Sequence, residues 1–243
     1  MEGGIKMIER EALEYLINEG EEKNPIIQLD QGTFTKRNLT RVTDAMAATL
    51  QVSTLTGLVD YIKANIDQLK GKLLIQVKSY DEVRLYSPLT MDRNREVFIQ
   101  AQAILPDNVR YENFMDTERF NIMLQSSFVD NDDKKIILKY TGLVQDEAVK
   151  TTGDDGVSQA VTIKTGVASV GQAVVPNPVI LAPYRTFPEV EQPESKFIFR
   201  MKEGPRAALF EADGGAWRNK AIQSIKEYLH QALEHNHDIE IIA

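Results

Sequence analysis

Two groups of carboxylates and glycines in this chain each suggest a chemistry of their own. The first is GDDG, residues 153–156, within the stretch TTGDDGVSQAV. Asp154 and Asp155 can offer oxygens to a divalent ion, but such a site needs several ligands from more than one segment. No partner stands at recognisable spacing, and the calcium-loop pattern fails here as it fails at DNDD, residues 130–133. Aspartate and glycine are favoured turn residues, so the segment reads as a turn or loop entering a strand.

The second group is Glu211, Asp213, Gly214 and Gly215, in FEADGG. Carboxylates at a strand end serve nucleases that use two metals. Those sites usually add a lysine on the same strand, which FEADGG lacks. Asp213 reads more simply as a helix cap. Glycines at a helix start leave backbone N–H groups open to an anion, and the helix dipole favours the same charge. Arg218 falls in the first turn, and Arg185, Arg200 and Arg206 can converge from neighbouring segments. Planar guanidinium groups suit phosphate or carboxylate. The candidate ligand set is therefore Arg185, Arg200, Arg206, Gly214, Gly215 and Arg218, weighed against a capped helix with surface arginines.

The three histidines, His230, His235 and His237, lie together near Asp238. Imidazoles so grouped can bind zinc or nickel. The helical H-E-x-x-H pairing is absent, and decoration of a helix C-terminus is the simpler account. No histidine remains elsewhere to serve a Ser-His-Asp set. The absence of cysteine removes thiol catalysis, disulfides and thiolate-bound zinc. Neither the phosphate loop nor the dinucleotide fingerprint occurs. The expectation is a protein without catalytic residues, cofactor or metal.

These residues sit in a chain of 243 residues with 42% apolar residues, a net charge of −8 and a pI near 5.1. Such a surface repels nucleic acid unless a basic patch is segregated within it. The densest basic group, Lys36, Arg37 and Arg41, is too thin for one. The N-terminus lacks the basic start and apolar core of a signal peptide, and no apolar run is long enough to cross a bilayer. A cytoplasmic protein is expected.

Helical spacing marks residues 5–17, 54–66, 117–128 and 132–143, and most strongly the stretch after Gly215, where Trp217, Ala221, Ile225, Tyr228 and Leu229 form one stripe. That stripe is expected to pack on Phe197, Phe199 and Met201. Strand-like runs are 25–30, 33–35, 73–77, 82–86, 97–105, 157–164, 167–175, 179–181, 197–202, 207–211 and 239–242, and residues 45–52 read as either helix or strand, with strand favoured at their end. Short turns between strands imply antiparallel sheets with helices on one face, the α+β class. The chain divides as residues 1–145, an N-terminal α+β part, and 146–243, a β-rich part with a C-terminal helix, unless the two share one core.

Several segments together have a familiar order: PIIQLDQGTFTKRNL, LTGLVDYIKANI, DTERFNIML, VTIKTGVASV, PVILAPYRTF, FIFRMKEG and ALFEADGGAW. This order resembles uncharacterised phage and prophage proteins of the YfdQ-like type, in their Gram-positive phage version. The resemblance implies a viral protein of the bacterial host cytoplasm and carries no catalytic residue with it. Small phage proteins without catalytic motifs often act by binding. The expectation is a homo-oligomeric counter-defence protein that sequesters a host component or a small anionic, nucleotide-like signal. One alternative is an accessory of phage DNA replication or recombination; the acidic surface speaks against direct nucleic-acid binding but leaves a protein partner of the DNA machinery open. Another is a metal-dependent phosphodiesterase using the acidic strand ends.

Overall fold

The computed structural model describes residues 10–23, 26–29, 32–35, 46–90, 93–143, 151–154, 159–164, 170–175, 177–202, 204–236 and 238–243. The chain divides into two compact units, Met1–Met46 and Ala47–Ala243.

The first unit holds helix α1 (Arg10–Lys23) and a hairpin of β1 (Ile26–Leu29) and β2 (Gly32–Thr35). Leu29 pairs with Gly32 in this hairpin. The helix runs through Gly20 rather than ending there. One interior glycine costs only about 1 kcal/mol, and the glutamates and lysine after it are good helix formers.

In the second unit β3 (Leu50–Val52) leads to α2 (Leu55–Ala64). The Thr54 side chain accepts from Gly57 N at 3.1 Å and starts this helix. Leu55, Leu58, Val59 and Ile62 form its buried stripe. Asn65, in the left-handed region at φ 46°, ends it, so Ile66 falls outside the stripe and is exposed. Next come β4 (Leu73–Val77), β5 (Glu82–Tyr86) and β6 (Val97–Gln102). Each alternates buried and half-buried residues, the mark of a sheet packed on one face.

The chain continues through β7 (Met115–Asp116), α3 (Thr117–Ser127) and α4 (Asp132–Leu143). Strands β8 (Thr151–Asp154), β9 (Gln159–Lys164) and β10 (Val170–Val175) make a three-stranded antiparallel sheet. Asp154 ends β8 opposite Gln159, while Asp155 and Gly156 lie outside the described residues. Last come β11 (Val179–Leu181), β12 (Ser195–Lys202), β13 (Arg206–Glu211), α5 (Trp217–Ala232) and β14 (Ile239–Ile242).

Two cores result. The five-stranded sheet has the order β14-β4-β5-β6-β3, antiparallel inside and parallel at both margins. Its buried face packs against α2 and α5 through Ile75, Leu85, Ile99, Leu58, Ile225 and Leu229. The four-stranded antiparallel sheet β11-β12-β13-β7 packs against α3 and α4. There Phe120 stacks on Phe199 with centroids 5.6 Å apart. The fold is α+β.

The stripe of α5 therefore lies on β4 and β14, not on Phe197, Phe199 and Met201. Those three are covered by Phe120, Met123, Leu124 and Phe128 of α3 and its end. The expected division between 145 and 146 falls within residues 144–150, outside those described. Phe187, Ile225, Leu229 and Ile241 from beyond it share one core with Leu55 and Ile75 from before it. Among the described residues no helix is long and apolar enough to cross a membrane.

Candidate functional site

The loop after β11 carries Arg185 into the protein. Gln192 folds that loop: its Oε1 accepts from the N–H groups of Arg185 and Thr186 at 2.9 and 3.2 Å. Its Nε2 donates to the Phe187 carbonyl at 3.0 Å. Phe187 then plugs the core of the five-stranded sheet, and Thr186 Oγ1 donates to the Tyr80 carbonyl at 2.5 Å.

Arg185 is buried, and its guanidinium meets three acceptors. Nη1 donates to Glu211 Oε1 at 3.2 Å, and Nη2 donates to the Pro193 carbonyl at 3.0 Å and to Ser195 Oγ. Its central carbon lies 3.9 Å from the centroid of the Trp217 ring. Arg218 approaches the same ring at 4.8 Å, and Tyr80 packs on it with centroids 4.8 Å apart. Burial lowers the Arg185 pKa from its usual value against the pull of Tyr111, Glu211 and Asp213. Burial likewise pushes the Tyr111 hydroxyl up to about 12, Arg185 opposing and the two carboxylates assisting.

Asp213 organises the start of α5. Its Oδ1 accepts from Gly215 N at 3.0 Å, and its Oδ2 accepts from Ser195 Oγ at 2.7 Å and from Trp217 N at 3.4 Å. Burial alone would raise this carboxyl, but those hydrogen bonds and the Arg185 charge outweigh it and hold its pKa below the usual aspartate value. Gly214 and Gly215 stand at φ 61° and 81°, a region side chains disfavour. A Cβ on Gly215 would also collide with Arg218 Nη1.

The expectation of open N–H groups at this helix start is therefore corrected. The Asp213 carboxylate occupies the place of an anion, and Ala216 N and Arg218 N donate to backbone carbonyls at 3.2 and 3.1 Å. The six expected ligand residues also separate into two groups. Arg185, Gly214, Gly215 and Arg218 gather around Trp217. Arg200 and Arg206 stand on the other face of the β12–β13 ladder: Arg200 pairs with Ala208 and Lys202 with Arg206, whereas the Arg185 partner Glu211 pairs with Phe197.

Beside Asp213 and Trp217 lies an open cleft of about 680 Å3, lined by Ile180, Glu194, Ser195, Lys196, Ala212, Asp213, Ala216, Trp217 and Lys220. Most of its wall is apolar. Lys196 and Lys220 are exposed, and neither forms an ion pair among the described residues. Sequence reading missed both lysines, along with Ser195 and Tyr80. They are brought in from β12, from α5 and from the bend before β5, and no local spacing signals that.

The other expected sites fall elsewhere. Glu211 and Asp213 are held by Arg185 and by the helix cap. His230 and His235 are exposed, His235 lying 3.4 Å from Glu234, and His237 lies outside the described residues. Among the described residues no three His, Cys, Asp or Glu side chains group to hold a metal ion. Comparisons with protein-family models, with curated proteins and with solved structures give no match to this chain.

Proposed function

We propose that this is a non-enzymatic binding protein whose cleft at the start of α5 sequesters a small anionic ligand of nucleotide size. The observation that carries the reading is the cleft of about 680 Å3 with Lys196 and Lys220 at its rim, both without an acidic partner among the described residues. Its volume lies within the roughly 300–1,000 Å3 common for small-molecule sites. Asp213 at the same cleft is engaged by Ser195 Oγ and by backbone N–H groups, and Glu194 is its other acid, so the two lysines outside any described ion pair are the groups an anion would meet. The carboxylates Glu211 and Asp213 are engaged by Arg185 and the cap, which leaves them unsuited to acid–base work. The resemblance of its segment order to phage proteins of the YfdQ-like type is the ground for proposing a counter-defence role, capture of a host component in the bacterial cytoplasm.

Self-association is part of the proposal. Helix α1 leaves Leu13, Leu16 and Ile17 at 47, 60 and 54% exposure, a stripe that association with a second copy would bury. Native mass spectrometry of protein purified from bacterial cells tests both points. The expected result is an oligomer carrying a phosphate- or carboxylate-bearing adduct. A bare monomer that takes up none of the host's small anions would contradict the proposal.

One observation favours a second reading, an accessory of phage DNA replication or recombination. Lys196, Arg200 and Lys202 alternate along one face of β12, and Arg206 lies opposite Lys202. Phe114 and Phe210 contact each other on this side, and Lys202 lies 4.0 Å over the Phe114 ring. Salt-sensitive binding of single-stranded DNA would favour this reading over the first.

A further inference from the structure

We infer that the outer edge of β14 is a strand-addition site for an extended segment of a partner protein, one in which aliphatic residues alternate with basic ones. The site stands apart from the cleft and does not depend on it.

The pairing of β14 shows which backbone groups face outward. Glu240 lies opposite Leu74 and Ile242 opposite Gln76 in the parallel ladder with β4, and Leu73 N donates to the Asp238 carbonyl at 2.8 Å. Asp238 thus turns its carbonyl toward β4, and so, at the two-residue repeat of a strand, do Glu240 and Ile242. The N–H and C=O groups of Ile239 and Ile241 point away from β4, where they meet no partner among the described residues.

The four-stranded sheet closes its own edge. Asn131 Nδ2 donates to the Ile180 carbonyl at 2.9 Å, and Asp133 Oδ2 accepts from Ile180 N at 2.6 Å, so side chains stand where a further strand would pair with β11. Its other margin, β7, is only two residues long. Proteins commonly protect edges by such covering, by shortness, or by proline, lysine or a bulge. The sequence of β14, IEII, has no proline or lysine, and its branched side chains favour pairing. Ile239 and Ile241 pack on the core, while Ile242 on the opposite face is 43% exposed. A ladder of outward N–H and C=O groups is satisfied only by another extended backbone.

Register and charge select the occupant. A second copy pairing antiparallel keeps its core-facing residues on the core side only in registers centred on Glu240 or on Ile241. The first sets two glutamates opposite each other, and the second sets each glutamate against an isoleucine. A foreign strand with lysine or arginine opposite Glu240 avoids both. Glu240 is exposed and pairs with Lys72 at 2.9 Å on the β4 side, which leaves its outer side open to a second cation. The nearby Lys226 and His230 belong to α5, which covers the other face of the sheet.

The test is fluorescence polarisation of the full chain with a labelled peptide, KVKVKVK, and with two forms of it N-methylated on all valines or on all lysines. Alternate N–H groups of a strand face opposite edges, so only one of these sets can donate to β14. One methylated form should lose at least about tenfold in affinity, while the other binds like the parent peptide. Amide hydrogen exchange at Ile239 and Ile241 should slow when the peptide is bound. Ile239→Pro, a change tolerated at the first residue of an edge strand, should weaken binding at least about fivefold. Failure of the peptide to bind, equal behaviour of the two methylated forms, or binding with unchanged exchange at those amides would overturn the site. Self-association of the protein that Ile239→Pro abolishes would overturn the foreign strand and give the edge to a second copy.

Discussion

The guanidinium of Arg185 lies 3.9 Å from the centroid of the Trp217 indole, and this contact joins the loop after β11 to the first turn of α5. Ser195 completes the junction: it accepts from Arg185 Nη2 and donates to Asp213, which caps α5. One network thus fixes a loop, a strand start and a helix start, and the cleft opens beside it.

Removal of the indole should cost far more than removal of the exposed arginine next to it. Trp217 is buried, so Trp217→Ala should destabilise by about 3–5 kcal/mol. Arg218 is exposed, and Arg218→Ala should stay within about 0.5 kcal/mol of the parent. Urea unfolding of the two variants checks both. A loss of several kcal/mol from Arg218→Ala would show that the second guanidinium holds the ring in place.

Arg185→Ala should also destabilise, by about 2–3 kcal/mol, because it leaves Glu211 and Ser195 without their buried donor. Circular dichroism melts of Arg185→Ala and Arg185→Lys are the measurement. Lysine keeps a charge but loses the planar fork, so it should recover only part of the loss.

Much of the fold was legible in the sequence, because most of its signals are local. The strands β4 and β5 and the end strand at Ile239–Ile242 stand where residue patterns place them. The partners of those elements were less legible. Two amphipathic stripes, on α3 and on α5, competed for the face of Phe197 and Phe199, and periodicity does not say which sheet a helix covers. The parallel pairing of β14 with β4 spans most of the second unit and has no turn to announce it. The site was half visible: Arg185 and the DGG segment stand out by type. Their roles depend on Ser195, Glu211 and Trp217, and only the tertiary fold brings these together.

Gly215→Ala should destabilise by more than about 1 kcal/mol. The residue stands at φ 81°, and the added Cβ would push Arg218 aside. A melting temperature equal to that of the parent would mean that the first turn of α5 relaxes freely.

The depressed pKa of Asp213 fixes the sign of one pH effect. Its stabilising contribution is present above the unfolded aspartate value of about 3.9 and is lost as pH falls through the lower folded value. Denaturant midpoints followed from about pH 6 down to about pH 2 should fall less steeply in Asp213→Asn than in the parent. Parallel curves would place the acid sensitivity in other carboxylates.

The exposed stripe of α1 gives a test of self-association. Leu16→Glu with Ile17→Glu should convert an oligomer to a monomer by light scattering, while the unfolding midpoint of the second unit stays unchanged. A parent chain that is already monomeric at micromolar concentration would remove the oligomer from the account.

The central claim, anion capture at the cleft beside α5, is tested most directly by calorimetric titration of phosphate-bearing nucleotides into the parent and into Lys196→Ala with Lys220→Ala. Both lysines are exposed, so the double variant should fold normally and melt close to the parent. The account predicts measurable binding to the parent and a loss of at least about tenfold in the double variant, because each ammonium contributes charge that nothing else at the rim replaces. Equal affinity in parent and double variant would contradict it.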